Sequence, residues 1–352
     1  MNRRWSVLSA LLATALLFCC MPGLLRRLLL DTGRTDDRLK PAVSRTMVVW
    51  VTSWLEEDRQ LISRLCTDFE KQRPGLRIYL RRADASELTA PDAVLPDAVL
   101  YTTGDILAPE EVFLPISVLE ETGKSGGLQL GIPLWYRPMV LCVPKAWFQE
   151  EREQVQEADR ADQAYFALAT PVPEKPAVYT LADVPWRKWI ESGSVVAQSG
   201  VGFSLMLLHC PPTLQEEIAA LTPVLRKPQA GEAGICSLST CLEREKDAVC
   251  LPLSPPTGQQ ARYLSLCRES ADAKAFVSFL RSVETQAAAA NVHLMPMVEE
   301  AIEEASWAAR IAGGGEAFVP NAFQMDSAAM DQYCIENFQR CQDPVATLLG
   351  LR

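Results

Sequence analysis

Histidine is nearly absent: the 352-residue chain has two, His209 and His293. They stand far apart in sequence, so a histidine-based catalytic triad has little to draw on. No C-x-x-C pair occurs either, which leaves a structural zinc site without its usual ligands. The phosphate-cradling G-x-x-x-x-G-K-[ST] loop is missing, as is the metalloprotease H-E-x-x-H. Ser199-Gly200-Val201-Gly202-Phe203 lacks the G-x-S-x-G order of a nucleophile elbow. These absences argue against an enzyme and call for no cofactor and no metal. An excess of basic charge is also lacking. The net charge is −10, and the first forty residues are themselves basic, so the remainder is more acidic still. Such a body cannot neutralise a phosphate backbone, and nucleic acid is excluded as a partner.

Apolar residues make up 48% and charged residues 22%, the balance of a globular protein, with length enough for two lobes. The clearest local signal is N-terminal. Arg3 and Arg4 precede an uncharged run, Trp5 to Leu25, that is long enough to span a bilayer. Three readings stand side by side: a cleaved signal peptide, a lipoprotein signal and an uncleaved anchor. All three export the body of the chain. Residues 31–45 are polar and aperiodic and read as a tether. Of eleven cysteines, Cys19 and Cys20 lie in the apolar run. Nine remain, an odd number that cannot all pair within one chain. Cys236/Cys241 and Cys334/Cys341 are spaced for small local bridges, while Cys66 and Cys142 read as small buried apolar residues.

The run 46–54, rich in β-branched and aromatic residues, predicts a buried strand. A helix follows, with Ile62, Leu65, Cys66 and Phe69 on one face, Glu56, Glu57 and Asp58 near its start, and Pro74-Gly75 at its end. Strands at 76–80 and 96–101 complete a βαβ unit, so a largely parallel sheet is expected. Residues 131–148 read as two extended segments interrupted by prolines, 150–163 as a solvated charged helix, and 171–186 as a proline-rich connector. A short strand at 194–198 leads into a helix at 199–209; residues 213–226 are amphipathic, and 247–253 form another strand. Helices are expected at 271–283, 298–311 and 326–340, with Gly313–Gly315 as a break between the last two.

His209 and His293 read as structural histidines. The acidic group Glu299, Glu300, Glu303 and Glu304 reads as a solvated face rather than a glycosidase carboxylate pair. The aromatics carry more information. Trp54 and Tyr101 close two adjacent expected strands, and Trp135 and Tyr136 follow another, with Arg137 beside them. In open parallel sheets ligands bind outside the carboxyl ends of strands, where aromatic faces can stack on sugars. Burial in the core is the competing reading for each, and packing the favoured one for Trp186 and Trp189.

The ordered set of motifs resembles one family. VVWVTSWLEEDRQLISRLCTDFEKQRPGLRIYL, PDAVLYTTGD, GIPLWYRPMVLCVPKAWFQE and LADVPWRKWIESG occur in that order. They are followed by LPLSPPTGQQARYLSLCRESADAKAFVSFLRSVETQAAAANVHLMP, which has Phe276, Phe279, Leu280, Glu284, Gln286 and Pro296 in place. Across about residues 46–310 the chain is similar to the extracellular solute-binding proteins of carbohydrate ABC importers. The resemblance implies an α/β, two-lobe fold of the periplasmic-binding-protein type II kind with a hinge. Residues 1–30 would be the signal or anchor and 31–45 the tether. One lobe would be 46–138 with 252–300, the other 139–251 with 301–352. The implied partners are a small solute, a sugar or oligosaccharide, and ABC permease subunits. The membrane would be reached through the N-terminal segment, at the extracytoplasmic face. Implied ligand contacts are Trp54, Glu56, Tyr101, Asp105, Trp135, Tyr136, Ser199 and Trp307. The alternative is an anchored, degenerate module of the same fold that senses a ligand or holds a partner without transport.

Overall fold

The computed structural model describes residues 43–106, 108–116, 124–149, 181–253, 256–312, 332, 335 and 336. The apolar N-terminal run, most of the tether, the charged stretch 150–163, the triple glycine and both Cys334 and Cys341 lie outside the described residues. So do most of 171–186 and of the expected helix at 326–340. Among the described residues, no helix is long and apolar enough to cross a membrane. Two compact units are distinguished, 1–46 with 72–77, and 47–71 with 78–352. In the first, the backbone amides of Ser44 and Arg45 donate to the Gly75 carbonyl at 2.9 and 3.1 Å. Every side-chain contact described below lies within the second.

Strand β1 (Arg45–Val51) buries Met47, Val49 and Val51, as its β-branched run predicts. Helix α1 (Arg59–Gln72) buries Ile62, Leu65, Cys66 and Phe69, the face read from the spacing. Strands β2 (Leu76–Arg82) and β3 (Ala98–Thr102) follow, and β1 pairs with β3 in parallel through Val49–Ala98 and Val51–Leu100. A small hairpin, β4 (Lys124–Ser125) and β5 (Leu128–Gln129), precedes the long strand β6 (Ile132–Pro144). Beyond it come β7 (Ser194–Ala197), β8 (Thr222–Leu225), β9 (Gly234–Ser237) and β10 (Ala248–Pro252). The last strands are β11 (Gly258–Leu266) and β12 (Met295–Pro296). The main sheet runs β2-β1-β3-β11-β6-β9-β7-β8, with β10 and β12 also paired to β6.

This sheet is mixed, which corrects the largely parallel expectation. β11 lies between β3 and β6, antiparallel to both, and β9, β10 and β12 are antiparallel to β6. The expected pair of segments at 131–148 is instead one strand of thirteen residues, every one buried. Pro133 and Pro138 are tolerated because each borders a register shift against β11, where ladder hydrogen bonds are already interrupted. Partners change at the second proline. Residues up to Pro138 pair with β11 and β12, and Met139–Pro144 pair with β9 and β10. The amphipathic stretch 213–226 splits into a short helix (Gln215–Ala219) and β8, and the helix expected at 298–311 breaks at Ala305.

Side chains alternate across β6. Met139, Leu141 and Val143 join a core with Trp186, Trp189 and Phe203, whereas Val140 and Cys142 join a second core with Tyr101, Tyr263 and Cys236. Trp186 and Trp189 stack at 5.2 Å and serve packing, as expected. Helix α1 meets the helix Ala271–Leu280 through Phe69, whose ring lies 5.1 Å from Phe276 and 5.2 Å from Phe279. The bridge expected between Cys236 and Cys241 is absent, because both are free thiols.

Gly234 on β9 pairs with Val196 on β7, and a Cβ there would meet the Val196 carbonyl oxygen at 2.5 Å. Backbone cannot yield as a flexible side chain can. Gly234→Ala should therefore cost ~1–3 kcal/mol, read as a lower urea midpoint at unchanged m-value. Undiminished stability would contradict this strand approach.

Candidate functional site

The chain leaving the carboxyl end of β1 carries three consecutive acids, Glu56, Glu57 and Asp58, and each meets a different cation. Side-chain exposure falls along the triplet from 73% to 9% to 0%, and the partners change with it. Glu56 reaches Lys227 at 3.2 Å in water, a pair of small energetic weight. Glu57 takes two hydrogen bonds from Arg137 on β6, from Nε at 3.1 Å and Nη2 at 2.7 Å, and accepts another from the Ser239 hydroxyl. Asp58 is fully buried against Arg262 of β11, which donates from Nε at 2.8 Å and from Nη2 at 3.1 Å. Trp135 Nε1 donates to the same carboxylate at 3.2 Å, and the third guanidinium nitrogen reaches the Ser53 carbonyl at 2.8 Å. The dehydrated charges are thus both paired and hydrogen-bonded, as burial requires.

Burial by itself raises the Glu57 carboxyl. The Arg137 charge and the bonds from Ser239 and Arg137 outweigh it and hold the group below its ordinary value.

A second fastening joins the carboxyl ends of β1 and β3. One oxygen of Asp105 accepts from Thr52 Oγ1 and the Thr102 amide, both at 2.8 Å, from Thr102 Oγ1 at 3.2 Å, and from Ser53 Oγ. Asp105 therefore holds the backbone that presents Trp54 and Glu56. Of this group Trp54 and Asp105 are half-buried and Glu56 is exposed.

The other expected contacts are placed differently. Tyr101 is fully enclosed, stacked 5.5 Å from Phe113 and 5.8 Å from Tyr263, with its hydroxyl 2.8 Å from Ser265 Oγ. Trp135 is equally enclosed and Tyr136 nearly so, and burial pushes both tyrosine phenols up. These three are core aromatics in this conformation. Ser199 ends β7's carboxyl side and precedes the helix Gly200–His209. Its hydroxyl is buried without a hydrogen-bond partner among the described residues. Trp307 is half-buried, its ring 6.1 Å from that of His293.

His209 is held neutral, since burial lowers it to about 4. Glu299, Glu300, Glu303 and Glu304 are all exposed, as a solvated face should be. Glu57, Asp58, Arg137 and Arg262 were not paired by the sequence reading. The available signal was Arg137 inside an otherwise apolar run, since a charge there demands a counter-charge; the more polar run around Arg262 gave no such signal.

Residues 57–291 match the bacterial extracellular solute-binding protein family. The chain belongs to that family. No curated protein matches it by sequence. Among solved structures it is similar to the GacH receptor of Streptomyces glaucescens, solved unliganded and with acarbose. The two share 11% identity over 87% of this chain and 97% of that one, with a TM-score of 0.50. It is also similar to the cyclic α-maltosyl-1,6-maltose binding protein of Arthrobacter globiformis, at 12% identity over 87% and 96%, with a TM-score of 0.50. These likenesses establish a mixed α/β fold of the periplasmic-binding-protein kind.

Arg262→Met leaves Asp58 buried and unpaired and should cost ~3–5 kcal/mol, by chemical denaturation. Adding Asp58→Leu should recover much of that loss. For Glu57 the folded value lies below the unfolded one. Its contribution is therefore complete above the ordinary carboxylate range and is lost as pH falls through the folded value. Arg137→Gln should flatten the acid limb of a stability-against-pH curve, and an unchanged limb would refute the pairing.

Proposed function

We propose that this protein captures a small carbohydrate between two lobes at the extracytoplasmic face and hands it to an ABC permease, without catalysis. The lobes are 46–138 with 252–300 and 139–251 with 301–352, and β6 crosses between them where its partners change. The observation that carries this reading is the half-exposed Trp54, flanked by Glu56 and Asp105 at the carboxyl ends of two parallel strands. An indole face can stack on the apolar face of a sugar ring, and neighbouring carboxylates accept hydrogen bonds from its hydroxyls. Ser199 offers an unpartnered hydroxyl at the carboxyl end of β7, in the other lobe. The proteins of similar fold named above bind acarbose and cyclic α-maltosyl-1,6-maltose, which supports a saccharide as the first class to try. A solute that touches both lobes only when they are closed shifts the population toward the closed form, the form a permease would recognise. Tyr101, Trp135 and Tyr136 then act beneath the site, by packing. Retention at the membrane falls to the N-terminal segment.

The test is a thermal-shift screen against mono- and oligosaccharides, with amino acids and phosphate esters alongside. A cognate sugar at about a hundred times its dissociation constant should stabilise by ~2.7 kcal/mol. Trp54→Ala should weaken its binding about tenfold or more, ~1.4 kcal/mol, with little change in the ligand-free melting point. Stabilisation by another solute class, or by none, would overturn the carbohydrate reading. The second of these outcomes would favour the partner-holding module.

A further inference from the structure

Four of the seven described free thiols gather in one place: Cys142 on β6, Cys236 on β9, Cys241 on the short helix Leu238–Leu242, and Cys250 on β10. Strand register brings them together. Cys250 is the direct antiparallel partner of Cys142, so the two side chains leave the sheet on the same face. Cys236 pairs with Val140, two residues along β6 from Cys142, and therefore shares that face. The helix lies over it; the Cys241 thiol donates to the Val249 carbonyl of β10 at 4.0 Å and interacts electrostatically with the other three thiols. Val140, Leu238 and Ala248 surround the group, while Val249 and Leu251 point into the opposite core.

Three of the four are fully enclosed, and Cys250 is half-buried, so the group can be approached from one side. Among the described residues no set of three or more ligating side chains is arranged to hold a metal ion, so the thiols do not form a ready metal cage. Their chemistry is that of thiols with each other. Bonds from the Cys236 and Cys241 thiols hold Cys142 below its ordinary value. Burial opposes them, and the Arg244 charge assists. Arg244 Nε is buried and has no hydrogen-bond partner among the described residues, which leaves a cationic donor beside the group.

We propose that this cluster is a thiol-oxidation site at which Cys250 and Cys142 are joined as a cross-strand disulfide by exchange with an external disulfide. Direct antiparallel partners have Cα atoms about 4.5–5.5 Å apart, inside the roughly 4.4–6.8 Å that a disulfide spans. Cys250, the accessible thiol, attacks one sulfur of the external disulfide RS–SR, forming a mixed disulfide and releasing one RSH. The Cys142 thiolate then attacks the Cys250 sulfur and expels the second RS⁻. The two thiol protons end on two RSH, the cysteines lose two electrons, and the external disulfide gains them. Nothing in this step depends on what solute the protein binds.

The test uses the full chain, reduced and then exposed to glutathione disulfide. The product is quenched with an alkylating agent and mapped by mass spectrometry. The expected product is a peptide pair linking Cys142 to Cys250, lighter by two hydrogens, with Cys236 and Cys241 alkylated and the bond reversed by dithiothreitol. Cys250→Ser should slow loss of cluster thiols by tenfold or more, whereas Cys66→Ser, on helix α1, should leave the rate unchanged. Alkylation of all four cluster cysteines after oxidation, or a bond that omits either member of the pair, would overturn the proposal. Because the wild-type chain gives the primary readout, a variant that misfolds does not weaken the test.

Discussion

Asp58 and Arg262 are separated by 204 positions, and neither is exposed to water. Removing two ions from water is expensive, and the cost is offset only where geometry is good and the remaining polar atoms are bonded. Here that condition draws in four segments. The carboxylate also takes the Trp135 indole of β6, and the guanidinium also serves the Ser53 carbonyl after β1. The Asp58 carbonyl accepts from the Ile62 amide in the first turn of α1. The β1–α1 turn, β6 and β11 are thereby fixed to one another at one point. Trp54 and Glu56 sit on the same short turn, so the surface proposed to meet solute is presented from a rigid base.

That pairing also explains what could and could not be read from sequence. Helix α1 and strands β1 and β3 were legible because their apolar residues recur at the period of the structure they form. Strand β11 was not, because Gln260 and Arg262 interrupt its apolar residues with polar ones. Arg262 occupies a buried position that a sequence pattern reserves for an apolar side chain, and only the distant Asp58 makes this tolerable. Likewise Glu56, Glu57 and Asp58 look alike in sequence, as acids near a helix start. Their burial differs completely because Lys227, Arg137 and Arg262 come from three separate segments. The aromatics at strand ends were found by position, but position alone does not say which side they face. Trp54 lies beyond the end of its strand and stays partly exposed, whereas Trp135 and Tyr136 lie within β6, flanked in the sheet by β11 and β12, and are buried.

The prolines of β6 misled the sequence reading for a related reason. A proline removes one donor, and in a strand with a constant partner that loss would break the ladder. β6 does not keep one set of partners, and Pro138 falls where β11 and β12 give way to β9 and β10. A residue that cannot donate is least costly where no ladder bond is required of it. In the lobe division proposed above, this is also the point at which β6 would cross from one lobe to the other.

The helix Leu238–Leu242 joins the two sites discussed above. Its Ser239 hydroxyl donates to Glu57, and its Cys241 thiol lies in the core that also holds Cys142, Cys236 and Cys250. Residues two apart on a helix face different sides, so one short segment looks toward the acidic turn with one residue and toward the thiols with the other. Ser237 caps it, accepting from the Thr240 amide, and Ser237's own amide is held by Gln198, next to Ser199. A disulfide between Cys142 and Cys250 would take away two of the three thiols that Cys241 meets, while leaving Ser239 and Glu57 untouched.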